Sequence, residues 1–168
     1  MNSSAPFVDH AHALKCDLAG EVLRSSGTLR LQVTGWSMLP TVMPGDTLVI
    51  ERISFDAAAE GDIVLFGRDR RLFAHRVVAR RKPQDAAIMT RGDAMPAPDA
   101  PVPESDLLGR VSFILRNGKC IEPSRTPRFS ERAVAAVARR SDFAARIVVG
   151  LHGLRQSSFA QTSVFQTQ

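Results

Sequence analysis

Leu29-Arg30-Leu31-Gln32-Val33-Thr34-Gly35-Trp36-Ser37-Met38-Leu39-Pro40 opens with an apolar side chain at every second position and closes in a turn that carries a serine. Alternation places Leu29, Leu31 and Val33 on one face of an extended strand and Arg30, Gln32 and Thr34 on the other, the pattern of a half-buried sheet. Gly35 and Pro40 interrupt it.

Upstream the period is different. From Asp9 to Ser26, Leu14, Leu18 and Val22 recur every four residues, while Lys15, Asp17, Glu21 and Arg24 take other faces, which predicts an amphipathic helix ended by Gly27. Downstream, short β-rich runs follow at Thr47 to Arg52, Asp62 to Phe66, Leu72 to Val78, Ala86 to Arg91 and Leu107 to Leu115. Pro44-Gly45-Asp46 and Glu60-Gly61-Asp62 precede two of these runs; each sets a glycine where positive φ is easy beside an aspartate able to accept nearby amides. We read Asp46 and Asp62, with their glycines, as structural. Met95-Pro96-Ala97-Pro98-Asp99-Ala100-Pro101-Val102-Pro103 lacks ladder donors at four prolines and reads as a stiff surface loop. From Phe129 to about Leu154 helical spacing returns through Val134, Val137 and Ala138, then Phe143, Ile147 and Leu151, and the tail after Gln156 reads as loose. The expected division is a helical extension over 1–27, a β domain over 28–122, and a helical extension with its tail over 123–168.

Composition narrows the function classes. The chain has 168 residues, 44% of them hydrophobic, enough for one domain with its own core. Its net charge of +5 comes from dispersed clusters such as Arg70-Arg71, Arg80-Arg81-Lys82 and Arg139-Arg140. These read as solvated surface, and without aromatic-basic interleaving no nucleic-acid partner is expected. No Cys/His spacing suggests a metal, and no cofactor is expected. Cys16 and Cys120 do not form a disulfide framework, which favours a cytoplasmic, reducing setting. No window approaches the roughly 18 apolar residues of a membrane span. Ile147-Val148-Val149-Gly150-Leu151 is short and bracketed by Arg146 and Arg155, so packing on the β domain is the expected reading, with peripheral membrane attachment left open.

A serine hydroxyl is a poor nucleophile at neutral pH and needs a partner that takes its proton. Ser37 has a candidate thirty-eight residues later, in Phe73-Ala74-His75-Arg76-Val77. Taken in order, Gly35-x-Ser37-Met38-x-Pro40, Pro44-Gly45-Asp46, Gly61-Asp62-Ile63-Val64, His75-Arg76-Val77, Thr90-Arg91-Gly92-Asp93 and Leu108-Gly109-x-Val111 resemble the boxes of type I signal peptidases and of their soluble relatives, the LexA and UmuD-like self-cleaving proteins. The resemblance spans roughly Leu29 to Leu115. It implies a mainly β, α+β fold, a coiled, barrel-like sheet carrying a serine peptidase site, here with an N-terminal amphipathic helix and C-terminal helices.

Position 75 selects the branch. Bacterial signal peptidases and LexA-type proteins carry a lysine there, whereas the archaeal and endoplasmic-reticulum signal peptidases carry a histidine followed by Arg-Val, as this chain does. A lysine must be desolvated before it accepts a proton, while an imidazole titrates near pH 6.5 and is ready at neutral pH. Hydrolysis is therefore expected to fall below about pH 6.5. A histidine base works best with a carboxylate that fixes its tautomer. In the histidine branch a Gly-Asp box is followed six residues later by another aspartate, so the resemblance makes Asp99 the orienting residue and Asp93 the supporting one. Many signal peptidases place a serine two residues before the nucleophile to help form the oxyanion hole; here Gly35 stands there, as in the LexA version, leaving the backbone amides of Ser37 and Trp36 as the expected donors. Met38 reads as core, and Trp36 as either groove or core.

The expectation is a soluble serine endopeptidase acting on a peptide or protein substrate, with Ser37 as nucleophile and His75 as base. Its rival is a non-catalytic peptide-binding or regulatory module on the same fold. LexA-like self-cleavage fits poorly: the only Ala-Gly pair, Ala19-Gly20, lies seventeen residues before Ser37 and inside the expected helix. The thirty-six residues before Ser37 also leave too little chain for a DNA-binding domain and a cleavage loop.

Overall fold

The computed structural model describes residues 5–80 and 86–126. Helix α1 spans Ala5–Ser26 and ends at Gly27, whose φ of 73° supplies the left-handed residue that closes a helix. Eight strands follow among the described residues: β1 Thr28–Gln32, β2 Thr47–Glu51, β3 Ile63–Arg68, β4 Arg71–Arg80, β5 Ala87–Arg91, β6 Val102–Pro103, β7 Leu107–Arg116 and β8 Lys119–Ile121. All pair antiparallel in the order β1-β2-β7-β3-β4-β5-β6, with β8 added to β7. The fold is mainly β with one N-terminal helix, as expected, but the sheet is not a closed barrel: β1 and β6 stand at the two ends of the strand order and do not pair with each other. The expected C-terminal helices lie outside the described residues.

Two apolar layers flank the sheet. β3 is buried on both faces, Ile63 and Leu65 packing with Leu23, Met38, Val42, Leu48, Ile50, Val111 and Ile114 on one side. Val64 and Phe66 pack with Phe55, Ala58, Val77, Ile88 and Val102 on the other. Gly109 on β7 lets strands approach closely, because a Cβ there would sit 2.5 Å from the Glu51 carbonyl oxygen. The two Gly-Asp turns behave as their chemistry suggests. Gly45 and Gly61 have φ of 92° and 90°; Asp46 accepts the Met43 amide at 2.8 Å and Asp62 the Ala59 amide at 3.0 Å.

Three expectations on local structure need correction. The helix has the expected period but a different buried face: Ala19 and Leu23 are 4% and 2% exposed, whereas Leu14 and Leu18 are 59% and 54% exposed. The stripe containing Ala19 and Gly20 is slim, and it lets α1 lie close to the sheet, with Leu108 3.8 Å from where a Gly20 Cβ would be. The proline-rich loop pairs at one point after all. Val102, between two prolines, is fully buried and pairs with Ile88. β8 was not anticipated, although Asn117-Gly118, with φ of 50° and 72°, is the two-residue turn that favours a hairpin.

Candidate active site

The turn after β1 is rigid because it is bonded at both ends. Val33 donates to the Asp46 carbonyl at 2.8 Å and Gly45 to the Val33 carbonyl at 2.8 Å, which ties the strand end to the next turn. Within the turn Leu39 donates to the Trp36 carbonyl and Val42 to the Met38 carbonyl. Ala94 donates to the Ser37 carbonyl at 2.9 Å, so the serine is fastened to the loop after β5. Gly92 sits beneath it: a Cβ there would lie 2.6 Å from the Ser37 carbonyl oxygen and 3.1 Å from its Cβ. Only a residue without a side chain fits.

His75 projects from the middle of β4, 5% exposed, with Phe66 and Phe73 against its ring at centroid distances of 6.0 and 5.9 Å. Its Nε2 lies 2.9 Å from Ser37 Oγ, and its Nδ1 lies 2.7 Å from Asp99 Oδ2. Thr90 Oγ1 donates to the same Asp99 oxygen at 2.7 Å, and the Asp99 amide donates to the Thr90 carbonyl at 2.8 Å. Arg68 holds the rest of the loop by donating to the carbonyls of Ala100 and Pro101. Burial pushes the Asp99 carboxyl upward, but the hydrogen bonds from His75 and Thr90, with the charges of His75 and Arg68, outweigh it and hold the group below the ordinary carboxylate value.

The structure thus brings Ser37, His75 and Asp99 into one hydrogen-bonded line and sets Asp93 elsewhere. Asp93 receives Arg76 Nε and Nη2, each at 2.8 Å, and the Thr41 hydroxyl at 2.5 Å. Arg76 Nη1 continues to the carbonyls of Gly61 and Ser124, both at 2.8 Å. Asp93 therefore joins the serine turn to β4 beside the ring rather than meeting it. Met38 is buried in the core, and its sulfur accepts the Asp93 amide at 3.4 Å; Trp36 is 40% exposed. The turn's backbone bonds to described residues use the carbonyls of Trp36, Ser37 and Met38, and the amides of Trp36 and Ser37 donate to none of them. Thr90, Thr41 and Arg76 had no role assigned from sequence; Thr90 and Arg76 stood within quoted boxes, but a threonine's partner depends on which loop folds over it.

A cleft of about 360 Å³ opens beside Ser37 and His75, walled by β1, β4 and α1. Leu31, Val33, Val42, Leu48 and Leu65 make its floor apolar. The part of β4 along it, residues 71–75, pairs with β3 only, since β5 engages β4 from Arg76 onward. One edge of this segment is therefore without a strand partner among the described residues.

The Peptidase S24-like family model matches residues 3–111, from just before α1 into β7, and so includes Ser37, His75, Asp93 and Asp99. The chain belongs to the Peptidase S24-like family. At the coarse level it is therefore a peptidase-type hydrolase or a LexA/UmuD-like relative on that fold. No curated protein matches the chain. In this S24-like chain Ala19-Gly20 is buried inside α1, and Cys16 and Cys120 are both free. Among the described residues no helix is long and apolar enough to cross a membrane.

Proposed function

We propose that the chain is a serine endopeptidase of the histidine-base kind, similar in its chemistry to the archaeal and endoplasmic-reticulum signal peptidases. The observation that carries this is the continuous line Ser37 Oγ, His75 Nε2, His75 Nδ1, Asp99 Oδ2, with separations of 2.9 and 2.7 Å. Asp99 accepts from Nδ1, which leaves Nε2 to take the serine proton as Oγ attacks a peptide carbonyl. The same nitrogen then returns the proton to the leaving amine. The imidazolium formed in between is stabilised by Asp99, whose depressed pKa keeps it ionised at neutral pH. The Ser37 amide, joined by that of Trp36, is the donor set for the developing oxyanion.

An extended peptide adds to the edge of residues 71–75 that no described strand pairs, by main-chain hydrogen bonds, which delivers its carbonyl toward Ser37 in the cleft. A fluorophosphonate probe tests the chemistry. Labelling at Ser37 is expected in the wild type and is expected to vanish in Ser37→Ala and in His75→Ala; well-folded wild-type protein that takes no label would overturn the reading in favour of a binding module.

A further inference from the structure

The cleft is charged on one side only. Besides its apolar floor, its lining includes His12 and Lys15 from α1 and Arg71 from the start of β4, and among the described residues no aspartate or glutamate lines it. Lys15 and Arg71 are exposed and hold no acidic partner among the described residues. The three groups lie toward one end. The neighbouring hollow, lined by Ala13, Cys16 and Asp17 of α1 together with Gly67 to Arg70, shows that this part of the helix lies against the β3–β4 turn, where Arg71 begins its strand. Asp17, Asp69 and Asp106 line that hollow together with Arg68 and Arg70, or the hollow beside it, and are not among the residues of the cleft.

Arg71 and His75 share a face of β4 because side chains alternate with period two. They are four residues apart, about 13 Å along a strand at roughly 3.3 Å per residue. A peptide laid along the same edge advances at the same rate, so the side chain beside Arg71 is about four residues from the bond presented to Ser37. We propose that His12, Lys15 and Arg71 make this end of the cleft a carboxylate-selecting subsite, so that preferred substrates are extended polypeptides with an aspartate or glutamate about four residues from the scissile bond. The distance rests on the peptidase reading; the charge preference does not.

The test has two arms. In the first, full-length protein is incubated with a proteome-derived peptide library, and the cut sites are read by mass spectrometry. Aspartate and glutamate are expected to be enriched three to five residues to one side of the cut. The Lys15→Glu, Arg71→Glu double variant is expected to exchange that enrichment for lysine and arginine, and Lys15→Gln, Arg71→Gln to lose it without exchange. Cleavage with no acidic enrichment, or with the same enrichment in the charge-reversed protein, overturns the proposal.

In the second arm, labelled and terminally blocked peptides of sequence (Ala-Val-Thr-Asp)₃ and (Ala-Val-Thr-Lys)₃ are titrated against Ser37→Ala protein and followed by fluorescence anisotropy. The acidic peptide is expected to bind about fivefold more tightly, as two partly exposed charge pairs would give, with the order inverted by the double reversal. If the library is left uncut, this arm still decides. A retained and invertible preference keeps the subsite while the peptidase reading falls; equal binding or none overturns the subsite as well.

Discussion

At the scale of single residues the site depends on small groups behind the serine–histidine pair. Thr90 is fully buried and its hydroxyl donates to Asp99, not to Ser37; it acts by holding Asp99. A hydrogen bond to a charged group contributes about 1.5–3 kcal/mol, so Thr90→Val is expected to lower kcat about tenfold or more with little change in KM. Thr90→Ser should restore most of the rate, and equal losses in both variants would speak against a positioning role. Asp99 also couples the site to pH. Its folded pKa lies below its ordinary value of 3.8, so it contributes stability that is present above that value and is lost as pH falls through the folded one. Urea unfolding between about pH 5 and pH 2.5, around the ordinary carboxylate range, should show a steeper loss in the wild type than in Asp99→Asn. Parallel curves would mean that the carboxyl is not held low. Gly92→Ala is expected to cost about 1–3 kcal/mol by overpacking and to displace Ser37, whereas Gly35→Ser, with nothing within 4 Å of its Cβ position, should leave the melting temperature unchanged. The contrast was not visible in sequence, where one glycine stands two residues before Ser37 and the other directly before Asp93.

At the scale of elements, α1 shows what periodicity leaves undetermined. Spacing of four set the helix, yet two stripes satisfy it, and the phase was settled by which stripe allows a close approach to β1, β4 and β7. The larger side chains of Leu14, Leu18 and Val22 ended outside. Leu23→Ala is expected to destabilise by about 2–5 kcal/mol, and Leu18→Glu to change stability by no more than about 0.5 kcal/mol. Thermal melts that rank the two in the opposite order would require α1 to be rotated about its axis. The strands were more legible because alternation and bracketing turns are local properties. Leu29 to Thr34, Thr47 to Arg52 and Leu107 to Leu115 each correspond to an observed strand within a residue or two. β6 was hidden by its prolines, since Val102 is placed by its burial and its pairing beside Ile88 of β5 and not by any pattern around it.

At the scale of the whole molecule, Arg76 is the side chain that joins distant parts: it links the serine turn through Thr41, the loop after β5 through Asp93, and the Gly61 and Ser124 carbonyls. The Arg76 and Asp93 side chains are only 7% and 9% exposed, so removing one partner leaves a buried charge. Arg76→Met is expected to cost about 3–5 kcal/mol, and the double variant Arg76→Met, Asp93→Leu to recover a large part of that loss. A double-mutant cycle in urea measures the coupling, and strictly additive losses would show that the pair is not coupled.

By itself the sequence determined the β-rich class, the glycine and aspartate turns, and the identity of the serine, the histidine and two candidate carboxylates. Each of these follows from side-chain chemistry acting over a few neighbouring residues. Only the tertiary structure decided which carboxylate meets the ring. Asp93 and Asp99 stand six residues apart on the same loop and differ little in local pattern. Strand pairing sets Arg76 opposite Arg91, two residues before Asp93, which it takes, while the Thr90 hydroxyl and carbonyl hold Asp99 under Nδ1. That choice is made by hydrogen-bond partners brought in from β4 and β5, and such partners exist only once the sheet has formed.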